Sequence, residues 1–389
     1  MCFVILLSTM SISVTRKKIS LNWTRLIMST VILLSPFIIP IIGSSADSNN
    51  VDVLAEKPSK VTLKESEKSY FVSSSTPQFV LLSFDGSKSL SMLEEIQNFS
   101  KRMEFDGRRV RFTFFINAAY FLTDDNAAIY KSPRGAPGDS KIGYSNSIED
   151  IRDRVAAFNK VVREGGEIAS HAAGHWNGQY WSEEEWKKEF NSFKSIIYNV
   201  QVNNGAVTIE KPIFLGSMMG FRAPELGVNE NLYKTLKDFG FKYDTSNVGA
   251  KEDWPYMDSF GIWHIPIGTI SLGVRGVPAL AMDYSLWVYQ TGGRDYAAQN
   301  TPEWNNLYRE VLDAYLAYFN ANYYGSRAPV VIGHHFTKMG DGVYFEALKS
   351  FAEEVCGKPS VRCSTYSDFV EYLNEYGVPT SMKIRQIRQ

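Results

Sequence analysis

Five histidines occur in the 389-residue chain, and four of them fall in two tight pairs. His171 and His175 sit four apart in Gly166-Glu167-Ile168-Ala169-Ser170-His171-Ala172-Ala173-Gly174-His175-Trp176, directly after a short apolar run that reads as a buried strand. Imidazole is a good ligand for borderline metals, and an i, i+4 spacing on a helical turn makes two rings converge on one face. The small residues around them would let a metal and a substrate approach the backbone. His334 and His335 form the second pair, at the end of Val330-Val331-Ile332-Gly333-His334-His335. Two further segments carry charge in telling places. Ser83-Phe84-Asp85-Gly86-Ser87 puts a carboxylate at a strand end, where it either does chemistry or caps the next helix. Gly220-Phe221-Arg222-Ala223-Pro224-Glu225-Leu226-Gly227 holds a guanidinium in a Pro/Gly-rich turn, suited to clamping a carboxylate.

The elements that must position these groups alternate in type. Phe79–Phe84 is a continuous apolar run, as expected of a strand buried on both faces. Strands are also predicted at Arg111–Ile116, Glu167–Ser170, from Phe221, at Trp263–Pro266 and at Pro329–Ile332. Between them, helices are predicted over Leu90–Met103, Ile148–Glu164, Asn229–Phe239, Thr301–Asn320, Tyr344–Val355 and Ser367–Tyr376. Ser182-Glu183-Glu184-Glu185 is a capping-box signature opening a long helix to about Asn203. Such alternation implies an α/β fold on a parallel sheet, open or closed into a barrel. In either architecture function gathers where strands end. Each polar segment above follows a predicted strand, which argues that they converge.

In order along the chain, Ser83-Phe84-Asp85, His171/His175, Arg222-Ala223-Pro224 and His334 resemble the motifs of the polysaccharide deacetylases, the NodB-homology carbohydrate esterases, over about residues 77–380. The resemblance implies a distorted, incomplete (β/α) barrel of about seven parallel strands. It also implies metal-assisted removal of acetyl groups from a glycan. A divalent ion, with Zn2+ first, would polarise the carbonyl. Asp85 would act as base, Arg222 would orient it, His334 would protonate the leaving group, and His171 and His175 would be ligands.

Against the family's pattern, Gly86 stands where a second, metal-binding Asp is usual. Two imidazoles are too few for tight zinc, since a catalytic site has about three protein ligands. The expected third ligand is Asp283, in Ala281-Met282-Asp283-Tyr284-Ser285. Asp85 itself or His335 are alternatives, and loss of the metal is a further outcome. Gly333 replaces a usual Leu, His335 stands where an Asp is common, and the Arg222 segment has one extra residue before its Gly. Trp176, Trp254, Pro224 and His335 are the expected substrate contacts. Tyr180, Trp181, Tyr256 and Trp263 also flank the motifs, where stacking on sugar and ordinary core packing compete. His264 reads as structural.

Bulk properties narrow the partners. Lys+Arg 41 against Asp+Glu 42 gives net charge -1, so nothing in the balance draws the chain to nucleic acid or anionic membrane. Neutral polysaccharide ranks above polyanions. Residues 1–46, with basic residues before an apolar run to Ile42 and small residues after it, read as a signal peptide or N-terminal anchor. That predicts a secreted or periplasmic protein whose only membrane contact would be this segment. Residues 47–76 read as a polar linker and 77–389 as the catalytic domain. In an oxidising compartment Cys356 and Cys363, six residues of turn-rich loop apart, are expected to pair. The expected reaction is hydrolysis of N-acetyl groups in an N-acetylglucosamine polymer, peptidoglycan or chitin. An O-acetylated glycan, or a silent sugar-binding module, are the alternatives.

Overall fold

The computed structural model describes residues 76–379, apart from residue 207. The predicted signal, most of the predicted linker and the last ten residues lie outside the described residues. Strand β1 (Gln78–Asp85) is buried at all eight positions and lies second in the strand order of the main sheet. Its neighbours are β11 (Val330–His335) and β2 (Phe112–Ile116), both parallel to it. The path continues through β3 (Glu167–Ser170), β4 (Gly220–Phe221), β5 (Tyr243–Asp244) and β8 (Trp263–His264) to β7 (Tyr256–Met257), which is antiparallel. β12 (Val361–Cys363) pairs with the start of β1. The sheet curls into an incomplete, distorted (β/α) barrel, as expected. A separate three-stranded sheet, β10 (Val277–Leu280), β9 (Ile267–Leu272) and β6 (Val248–Ala250), was not anticipated; its short strands lack a sustained apolar run.

Helices α1 (Leu90–Phe105), α2 (Ile148–Arg163) and α3 (Glu183–Tyr198) start at side-chain caps on Ser89, Ser147 and Ser182. In the last, Ser182 and Glu185 satisfy each other's backbone donors as the capping box predicts. A short α4 (Val200–Asn203) follows, then α5 (Glu230–Asp238), α6 (Asp283–Thr291), α7 (Pro302–Ala321), α8 (Val343–Val355) and α9 (Tyr366–Tyr376). Alternate residues of β1 serve different layers. Val80, Leu82 and Phe84 join the core beneath α1, α7 and α8, while Phe79 and Leu81 face the inner cluster with Phe369 of α9. Ser83 and Asp85 continue that inner face, since side chains two apart on a strand point the same way. Cys356 and Cys363 are disulfide-bonded, with Cα atoms 5.8 Å apart. Among the described residues no helix is long and apolar enough to cross a membrane.

Candidate active site

Asp85 ends β1, His171 follows β3, Arg222 follows β4, and His335 ends β11, so four strand ends deliver the groups to one mouth. Arg222 is the organising cation and is fully buried. Its Nη1 donates to Asp85 Oδ1 at 2.7 Å and to Ser83 Oγ at 3.0 Å. Its Nη2 donates to Tyr366 OH (2.9 Å) and Thr245 Oγ1 (3.3 Å), and its Nε to the Thr245 carbonyl. The guanidinium lies 4.3 Å from the centre of the Phe115 ring. With every nitrogen engaged, it cannot turn away from Asp85. Ser83 is a further site residue, whose signal in the sequence is its place two residues before Asp85. Thr245 and Tyr366 carried no such signal.

Gly333 sits inside this arrangement. A Cβ there would come within 3.2 Å of Arg222 Nη1 and of Met282, so the replaced Leu would press on the clamp. The extra residue after Arg222 is absorbed by a tight turn, Pro224–Leu226, in which Glu225 and Leu226 both take positive φ.

The first histidine pair lies on a loop, correcting the expected helical turn. Ala172 and His175 have φ of +59°, which a right-handed helix does not allow. The reason is a buried carboxylate on α3. Glu189 Oε1 accepts the backbone N–H groups of Ala173 (2.8 Å) and Gly174 (2.9 Å), while Oε2 accepts Tyr130 OH at 2.7 Å. Asn117 grips the His171 and Ala172 carbonyls from the other side. Neither Glu189 nor Asn117 stood out in the sequence. His171 Nδ1 lies 2.8 Å from the Arg222 carbonyl, which can only accept, so Nδ1 carries the proton and Nε2 keeps a lone pair. Burial drives its pKa down to about 3, Asp85 offsetting only part of that. His175, whose ring centre is 4.9 Å from that of His171, is lowered by burial and then by the charge on His335.

The two members of the second pair lie in different surroundings. His334 is 1% exposed and its Nε2 bonds Tyr315 OH of α7 at 3.0 Å, so it belongs to the packing behind the sheet. His335 has a side chain 32% exposed and occupies the mouth. Asp283 gives its carboxylate to His335, with Oδ1 2.6 Å from Nδ1 and Oδ2 accepting the His335 backbone N–H at 2.8 Å. Its distance to His334 Nδ1 is 3.7 Å, beyond a hydrogen bond. Burial works against a charged His335, but the charge and hydrogen bond of Asp283 outweigh it and raise its pKa to about 9. His334 goes the other way, to about 4, because burial there exceeds the pull of Asp283.

Asp283, the expected third ligand, is hydrogen-bonded to His335. Among the described residues no group of three or more His, Cys, Asp or Glu side chains is arranged to hold a metal ion. The donors present do not fit the expected zinc site. Two expected substrate contacts also change. Trp254 is 3% exposed, its Nε1 bonded to the Ser326 carbonyl, and Pro224 is buried at the start of its turn. Trp254 packs in an apolar cluster with Trp263, Ile265 and Ile267. Trp176 is half-buried beside His175, with Lys141 over its ring at 5.3 Å. Tyr284, 44% exposed, stands 6.2 Å from the His335 ring and 5.7 Å from Trp287. His264 is structural as expected, held between Asp258 (2.9 Å) and Asp244 (3.4 Å).

No family model and no curated protein matches the chain. Among solved structures it is similar to a Mycobacterium smegmatis protein described as a polysaccharide deacetylase, at 18% identity and TM-score 0.46, covering 78% of this chain and 92% of that one. It is similar to a Pseudomonas aeruginosa protein described in the same terms, at 15% and 0.47, covering 78% and 93%. An allantoinase is similar at 16% and 0.42, also covering 78% and 93%. In the order of its motifs and the strand ends that carry them, the chain resembles the polysaccharide deacetylases.

Proposed function

We propose that the chain is a hydrolase that removes N-acetyl groups from an amino-sugar polysaccharide, with Asp85 as base and His335, in place of His334, as acid. The observation that carries this reading is one pair of couples on adjacent strands, Asp85 held by Arg222 and His335 held by Asp283. Arg222 takes Asp85 Oδ1, which leaves Oδ2 to accept a proton from water. The resulting hydroxide oxygen adds to the acetyl carbon. Its C–N bond breaks as the nitrogen takes the proton from His335, giving amine and acetic acid. Asp85 then releases its proton to solvent and His335 regains one, so the sum is one water consumed and one acetate and one ammonium formed.

An amine leaves poorly unless protonated, whereas the alcohol of an ester needs less help. A cationic acid beside the base therefore favours an amide over an ester. Tyr284 and Trp176 flank the mouth with partly exposed rings suited to sugar faces. The near-neutral charge suits an uncharged polymer. The Cys356–Cys363 bond accords with export by residues 1–46 to an oxidising compartment. The test is acetate release from chitin oligosaccharides, peptidoglycan and acetylxylan. The parent chain should favour the first two, and Asp85→Asn should lose at least about a hundredfold. Glycan binding without acetate from any of the three would mark a silent sugar-binding module instead.

A further inference from the structure

We infer that this site is built to work without a resident divalent ion. The inference rests on the hydrolytic reading above for what the site does, but on separate observations for what it holds. A catalytic zinc needs about three protein donors and an open position. Among the described residues no carboxylate completes a group of three donors with His171 and His175.

Asp85 is tied through Oδ1 to a guanidinium that has no freedom to follow it. Asp283 accepts three hydrogen bonds, from His335 Nδ1, from the His335 backbone and from the Tyr284 backbone at 2.7 Å. Glu225, whose charge reaches His175, is paired with Lys141 at 2.7 Å and with Asn177 at 3.2 Å. Turning Asp283 away would strand His335, and turning Asp85 away would strand Arg222, whereas the Glu225 pair is partly exposed. At Gly86 the backbone itself stands in the way. Its φ is +97°, a conformation L side chains rarely adopt, although the space beside it is open, with Phe336 4.0 Å from where a Cβ would lie.

What remains is two imidazoles. The bond from His171 Nδ1 to a backbone carbonyl would orient a metal ligand equally well, so that contact decides nothing. The grouping decides it, because neither a carboxylate nor His335, whose Nδ1 is taken by Asp283, joins the pair in a set of three among the described residues. On this inference the imidazoles hold water and substrate by hydrogen bonds beside Asp85, and the Asp85 and His335 couples carry the proton transfers unaided.

The test uses the full chain, dialysed against a strong chelator and then against metal-free buffer. Metal content is measured by mass spectrometry and zinc is titrated in by calorimetry, with acetate release from chitin oligosaccharides followed in parallel. The expected result is less than about a tenth of an equivalent of metal retained, no saturable zinc binding at micromolar concentrations, and acetate release changed by less than about twofold on adding zinc. Near-stoichiometric zinc binding that disappears in His171→Ala would overturn the inference, whether or not acetate is formed. So would a rise of about tenfold or more in acetate release on adding zinc. A chain that binds no zinc and releases no acetate supports the ion-free site while sinking the proposed function, so the two failures are separable.

Discussion

Asp85 and His335 are register partners across the parallel strands β1 and β11, one position beyond Phe84 and His334. Neighbours in register point to the same face of a sheet, and one step along either strand reverses that face. Asp85 and His335 therefore share the mouth, while Phe84 and His334 share the helix-covered side, their ring centres 5.9 Å apart. The division of labour between two adjacent histidines follows from this alternation.

If His335 is the acid, His335→Gln should lower kcat by about a hundred- to a thousandfold with little change in KM. His334→Gln, which leaves Tyr315 OH a partner, should stay within about tenfold of the parent. Steady-state acetate release from chitin oligosaccharides measures both. The opposite ranking would return the acid role to His334.

The pH dependence has a definite sign. His335 has a folded pKa of about 9, above its unfolded value near 6.5. Its contribution to stability is therefore complete below the unfolded value and is lost as pH rises through about 9. The acid form disappears over the same range, so the rate should fall on the alkaline side near pH 9. Asp283→Asn removes the charge that raises His335, and should draw that limb toward neutral pH. Thermal unfolding and a pH–rate profile of parent and variant read the two effects.

Glu189 holds the histidine loop by two backbone N–H groups and a tyrosine hydroxyl, all buried. Glu189→Ala strands these donors and should cost about 2–4 kcal/mol in urea unfolding, since each unsatisfied buried group costs about 1–3 kcal/mol and neighbouring losses do not add fully. Glu189→Gln keeps an acceptor for both N–H groups and should recover most of the loss. If alanine and glutamine destabilise alike, the loop is held by something other than this carboxylate.

Gly86→Ala isolates backbone strain, because the nearest atom to the added Cβ is 4.0 Å away. The positive φ alone should cost about 1–3 kcal/mol. Denaturant unfolding measures the cost, and a neutral substitution would mean that the turn relaxes freely.

Much of the architecture was legible because it rests on local rules. The apolar run at the heart of β1, the capping box at Ser182 and the placement of polar segments after strands each act over a few residues. The short strands β6 and β7 were not legible, because pairs of two or three residues exist only through the neighbours that complete their hydrogen bonds.

The sequence by itself determined which chemical groups exist and that Asp85, His171, Arg222 and the late histidines would meet at strand ends, since strand length and order set where each emerges. Only the tertiary structure decided which histidine faces Asp85, that Asp283 belongs to His335, and that Glu189 shapes the loop at His171 and His175. Those choices turn on sheet register and on contacts between residues 50 or more positions apart, or between buried groups on different elements. Spacing along a chain carries no record of them until packing brings the partners within hydrogen-bond reach.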